Sequence, residues 1–98
     1  MPQTVMHSSA EAERQRVQEI IDNRRIEMAL ANVRRVEFSF GEDSTGDPVV
    51  HVVMVVSKDL SPTKEHIEEL NVLANILTQD IIRKEIGLWP YVRTIVEE

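Results

Sequence analysis

Cysteine is absent from the chain. That excludes disulfide staples, thiolate zinc sites and cysteine nucleophiles. Aromatic residues make up only 4%: Phe38, Phe40, Trp89 and Tyr91. The core must therefore be built from Val, Ile, Leu and Met. Positive charge is in the minority, with 11 Lys and Arg against 17 Asp and Glu. No apolar run approaches the ~20 residues of a membrane span. Residues 1 to 10, MPQTVMHSSA, lack the charged start and apolar core of a signal peptide. Internal repeats and low-complexity segments are also missing.

What remains is a chain of 98 residues with 42% apolar and 29% charged content, the profile of one small soluble domain. A cytoplasmic location is the expectation. A chain of this length hides only about 60–65% of its unfolded surface, so a partner surface adds substantial stability. The net charge of −6 is unevenly spread. Residues 1 to 35 carry six Arg against five acids, and residues 36 to 98 carry five Lys or Arg against twelve acids. Duplex nucleic acid needs a concentrated basic footprint. Only Arg14, Arg24, Arg25, Arg34 and Arg35 offer one, so nucleic acid is not the expected partner.

Residues 1 to 8 read as a flexible tail, and residues 9 to 98 as a single domain. Ser8 and Glu11 have capping-box spacing ahead of a helix over 9–31. Val17, Ile20, Ile21, Met28 and Ala31 form its apolar stripe, and Asp22 to Arg25 interrupt that stripe where a kink is expected. Val33 to Gly41 alternates: Val36, Phe38 and Phe40 point one way, Arg35, Glu37 and Ser39 the other. GEDSTGDP, 41–48, is turn chemistry, with Asp43 and Asp47 expected to accept from turn N–H groups. A second strand follows at Val49–Ser57. Ser61-Pro62 starts a second long helix, with Ile67, Leu70, Leu73, Ala74, Leu77 and Ile81 inward and an end near Glu85, before Gly87. Tyr91–Val96 is the last strand. The fold class is α+β, a two-layer sandwich of order αββαβ, with two long helices on a three-stranded mixed sheet. The third strand lies beside either the first or the second. The apolarity of the second favours the arrangement in which it is central and parallel to the third.

That second strand poses the main question. Val50, Val52, Met54 and Val56 make one face, and Val49, His51, Val53 and Val55 the other. Both faces are apolar. If both helices pack on one, the other is exposed unless another chain covers it, and an apolar patch of that kind marks an interaction site. The alternative places one helix on each face. Leu88 to Arg93, LWPYVR, adds Trp, Tyr and Arg, the residue types enriched at binding hot spots. The expected partner-binding residues are therefore Val49, His51, Val53, Val55, Trp89, Tyr91 and Arg93. The partner is a second copy, giving a homodimer, or another protein. Val72 and Ile76, opposite the second helix's stripe, are further contact candidates.

Signals for other chemistry are weak. His66 with Glu65 and Glu69 makes a surface pair at helical spacing, but a metal site needs three or four converging ligands. The expectation is a solvated His66, a partly buried, hydrogen-bonded His51, and no metal or cofactor. The acidic loop 42–47 lacks the ligand order of an EF-hand. Neither a GxSxG nucleophile turn, a phosphate loop nor a dinucleotide fingerprint occurs. No catalysis is expected.

The stretches GEDSTGDPVVHVVMVV and LWPYVR resemble small uncharacterised bacterial proteins that have an EDxxGDP turn before a valine-rich strand and an aromatic-Pro-aromatic step near the C-terminus. The resemblance spans roughly residues 33 to 95. It implies no activity, only an accessory partner of a neighbouring gene product, as in antitoxin-like pairs. Residues 32 to 96 are also similar in layout to the cytoplasmic domain of cation-diffusion transporters, with LSPTKEHIEEL loosely like its helix start. That likeness implies the alternative function, metal sensing. A type II KH domain has a similar element order but requires a GxxG loop, which this chain lacks.

Overall fold

The computed structural model describes residues 2–59 and 63–97, with side chains from Glu11 onward. The chain runs α1 (Pro2–Asp22), α2 (Arg25–Leu30), β1 (Val33–Glu42), β2 (Pro48–Ser57), α3 (Lys64–Arg83) and β3 (Trp89–Glu97). The sheet order is β1-β2-β3. β1 pairs with β2 antiparallel and β2 with β3 parallel, so the apolar strand is central as its composition requires.

The first helical stripe survives, but not as one helix. α1 stops at Asp22. There Asn23 N–H still reaches Glu19 O, but Arg24 N–H takes the tighter bond to Ile21 O. Asp and Asn compete with the backbone for hydrogen bonds and are poor in helix interiors. The break leaves Val17, Ile20 and Ile21 of α1 and Met28 and Ala31 of α2 in one buried cluster. Ser8 lies inside α1 rather than at its start, and α1 takes in residues 2 to 8, which the sequence reading leaves as a tail. Asn32 closes α2 in the left-handed region, φ 60°, a conformation Asn tolerates better than most residues.

β1 contains an irregularity that decides which side chains face the core. Val33 is opposite Val56, yet Arg35 is opposite Val55. One extra residue, Arg34, is accommodated as a bulge. Without it Val33 and Arg35 would share a face. With it Val33, Val36, Phe38 and Phe40 all join the core, and Arg35, Glu37 and Ser39 take the opposite side. The turn is built on Asp43. Its Oδ1 accepts from the N–H groups of Thr45 and Asp47 and from the Thr45 hydroxyl. Asp47 accepts from the Asp43 N–H through its carbonyl, and its carboxylate accepts from the Thr45 hydroxyl.

Thr63 caps α3, its hydroxyl accepting from His66 N–H at 3.1 Å. The expected start at Ser61-Pro62 lies outside the described residues. α3 ends at Arg83, two residues short of the expected Glu85. The last strand is longer than Tyr91–Val96 and takes Pro90 inside it. Proline is tolerated there because β3 is an edge strand.

All helices pack on one face of the sheet. The buried cluster joins Val50, Val52, Met54 and Val56 of β2 to Leu70, Leu73, Leu77 and Ile81 of α3 and to the α1–α2 stripe. Arg14 of α1 lays its guanidinium over Phe38 and Phe40, 5.9 and 5.5 Å from the ring centres, while those rings meet edge to face at 5.9 Å. Arg24 fixes the α1–α2 break to α3 with a two-pronged bond to Asp80, at 2.7 and 3.1 Å, and a third to Glu27 at 2.8 Å.

Candidate functional site, the open face of the sheet

With α1, α2 and α3 all on one side, the other side of the sheet carries no helix. Register places its side chains in four rows, one strand apart. Gly41, Val49 and Trp89 make the first, and Ser39, His51 and Tyr91 the second. Glu37, Val53 and Arg93 follow, then Arg35, Val55 and Ile95. Every one of the seven residues expected to contact a partner lies on this face.

The face is not uniformly exposed. Val49 and Val55 are completely buried, although no helix touches them. Trp89 flanks Val49 on one side. On the other side is Gly41, and the ring of His51 leans over Gly41, so that a Cβ there would lie 3.6 Å from His51 Nε2. Over the far end of β2, side chains from the two edge strands meet across its width. Arg35 Nη1 donates to Glu97 Oε1 at 2.8 Å, and its Nε donates to Glu37 at 3.1 Å. Arg34 Nη1 stands 3.3 Å from Glu97 Oε2, which is buried without a well-aligned hydrogen bond. The Arg35 bond, with the positive charge of Arg34 behind it, holds the Glu97 carboxyl below its ordinary range. Val49 and Val55 therefore support the face and present no surface of their own.

What the face does present is aromatic and mixed in charge. Trp89 is 56% exposed, Tyr91 46% and Ile95 38%, and Val53 is half-buried between Glu37 and Arg93. The rings of His51 and Tyr91 stack, 5.8 Å apart and 22° from parallel. Trp and Tyr combine large apolar area with a polar atom at the edge, as contact surfaces require.

The histidines reverse the expectation. His51 is exposed, not buried, because no helix covers its face. His66, expected in solvent, is half-buried, with Nε2 2.6 Å from the Ala31 carbonyl. That bond joins the start of α3 to the end of α2. Among the described residues, no three His, Asp or Glu side chains converge so as to hold a metal ion. Five of the six arginines of the first third, Arg16 being the exception, are likewise engaged inside the chain. Arg14 covers Phe38 and Phe40, Arg24 bonds Asp80, Arg25 bonds Asp22, and Arg34 and Arg35 meet Glu97. Among the described residues no helix is long and apolar enough to cross a membrane.

The sequence reading missed the Arg34–Arg35–Glu97 bridge. β1 and β3 are not neighbours, and only the register of both with β2 brings these residues together. No protein family, curated protein or solved structure gives a significant match to the chain.

Proposed function

We propose that the protein is a small interaction module without catalysis, and that the open sheet face binds a second copy of the same chain. The observation that carries this reading is the uncovered face itself, with Trp89, Tyr91 and Ile95 exposed beside Val53. Apolar patches of this kind on a small domain are interaction sites, and sheets that pack face to face fill the gap with such side chains.

Charge favours a second copy as the occupant. The face holds Arg34, Arg35 and Arg93 against Glu37 and Glu97, one positive charge net, whereas the whole chain carries −6. The acidity lies elsewhere, so two such faces approach without strong repulsion. Arg93 has no ion-pair partner within the chain among the described residues. Glu37 and Arg93 flank Val53 on opposite sides. A two-fold axis above Val53, parallel to the strands, lays Arg93 of one copy against Glu37 of the other and Val53 against Val53.

Light scattering on a sizing column tests the proposal with Val53→Asp and, separately, Tyr91→Ser. The expected result is a wild-type dimer at micromolar concentration and monomers for both variants, with unchanged far-ultraviolet circular dichroism. A wild-type monomer would transfer the face to a different protein, the accessory-partner relationship. Variants that stay dimeric would move the interface off this face.

A further inference from the structure

A second surface, on the helical side of the molecule away from the open sheet face, exposes apolar side chains. A groove of about 690 Å³ runs between α2 and α3. Its floor is the buried pair Ala31 and Leu73, and its walls are Leu30, Val72 and Ile76. Leu30 is 74% exposed and Val72 57%. Ile26, one turn before Leu30 and 75% exposed, extends the apolar strip along α2. These residues face away from the core: Val72 and Ile76 lie on the side of α3 opposite Leu70, Leu77 and Ile81, so core packing does not account for them.

The rim is acidic along the first half of α3, and beyond Val72 and Ile76 it meets Arg24, Asp80 and Arg83. Glu27, Glu65, Glu68 and Glu69 surround the apolar floor. Glu27 is bonded to Arg24. Glu65, Glu68 and Glu69 are exposed and have no ion-pair partner among the described residues. From Glu65 to Ile76 the groove follows about 17 Å of α3 at 1.5 Å per residue, the length of about three turns of a guest helix.

We infer that this groove receives a basic amphipathic helix from a different polypeptide, its apolar stripe on Leu30, Val72 and Ile76 and its Lys or Arg residues on the glutamate rim. A slot between two helices accepts a third by ridge-and-groove packing, and an apolar groove with charged margins is the usual receptor for an amphipathic helix. The chain's own helices do not fit. α1 carries Arg14 and Arg16 against Glu11, Glu13, Glu19 and Asp22, and α3 carries Lys64 and Arg83 against Glu65, Glu68, Glu69 and Asp80. Both are net acidic, and a second copy would bring acid to acid. The groove and the sheet face are therefore complementary to different things, one to a basic helix and the other to itself.

The test uses the full chain and a synthetic Leu/Lys peptide of about three helical turns, with Leu at i, i+3, i+4 and i+7 spacing. Its scrambled isomer and a Leu/Glu peptide of the same pattern serve as controls in titration calorimetry. The Leu/Lys peptide is expected to bind with saturation at one site and the controls not to bind. Val72→Asp, Leu30→Asp and the triple exchange E65Q/E68Q/E69Q are each expected to weaken binding by about tenfold or more, with the affinity falling as salt rises. Circular dichroism confirms that the variants are folded, as exposed positions predict. Three results would each overturn the inference. One is equal binding of the scrambled or Leu/Glu peptide, and another is full affinity in the wall or rim variants. The third is loss of self-association in Val72→Asp without peptide, which would give the groove to a second copy.

Discussion

Glu97 reaches Arg35 and Arg34 across the full width of the sheet, and through them the last strand is tied to the first. Asp43 plays the corresponding part in the turn, and Glu27 at the α1–α2 break. All three carboxyls are held below their ordinary range: Glu97 by Arg35, Asp43 by the Thr45 hydroxyl and the Asp47 N–H, and Glu27 by Arg24. A carboxyl that is more acidic in the folded state contributes stability above its unfolded pKa and loses it as pH falls through the folded value. The melting temperature is therefore expected to hold from neutrality down to about pH 4–5, where free carboxylates begin to protonate, and to fall below that. Glu97→Gln should flatten part of this acid limb, and identical pH profiles for wild type and variant would contradict the assignment. The Asp43 turn is legible in the sequence because its bonds are local. The burial of His51 and His66 is not, because each depends on which element lies over it. A histidine in an apolar strand reads as buried, yet no helix crosses His51. His66, at the exposed start of a helix, finds the Ala31 carbonyl of a segment 35 residues earlier.

The elements themselves follow closely from pattern. Of the predicted stripe of α3, Leu70, Leu77 and Ile81, with Leu73 beside them, are buried, and Ala74 is half-buried. Ile67, on the same stripe, is 47% exposed. It lines a groove with Val56 and Val96 near the end of the sheet. The helix break at Asp22 to Arg24 is visible as polar residues in mid-stripe, but the resulting short α2, and the Arg24–Asp80 clamp that holds it, need the fold. Leu77 has no exposed surface and lies in the buried cluster that α3 shares with the sheet. Leu77→Ala is expected to cost about 2–5 kcal/mol in urea unfolding, a large share of the roughly 5–15 kcal/mol that holds a small domain. A loss below about 1 kcal/mol would mean that α3 is not a main support of the core.

At the scale of the whole molecule, the sequence leaves one ambiguity that only three dimensions resolve. β2 is apolar on both faces, and each helix has a single apolar stripe that fits either face. Sequence pattern favours the two-layer arrangement but leaves a helix on each side as the alternative. The structure takes the second arrangement and hides Val49 and Val55 beneath long side chains of the edge strands. This is possible because valine is small and Arg35, Trp89 and Ile95 are large. Covering by neighbours accounts for part of the oil on β2, but it leaves Trp89, Tyr91 and Ile95 facing water. On the proposals made above, the open face would take a second copy and the groove between α2 and α3 a basic helix, the two sides of an adaptor.

Trp89 is the only tryptophan in the chain and lies on the proposed interface, so its fluorescence reports that surface directly. Emission and acrylamide quenching should be measured as the protein is concentrated from the nanomolar to the high micromolar range. The account predicts that the emission shifts to shorter wavelength and quenching falls as copies associate, and that Val53→Asp abolishes both changes. Emission and quenching that stay constant across the whole range, and are the same in wild type and Val53→Asp, would contradict it.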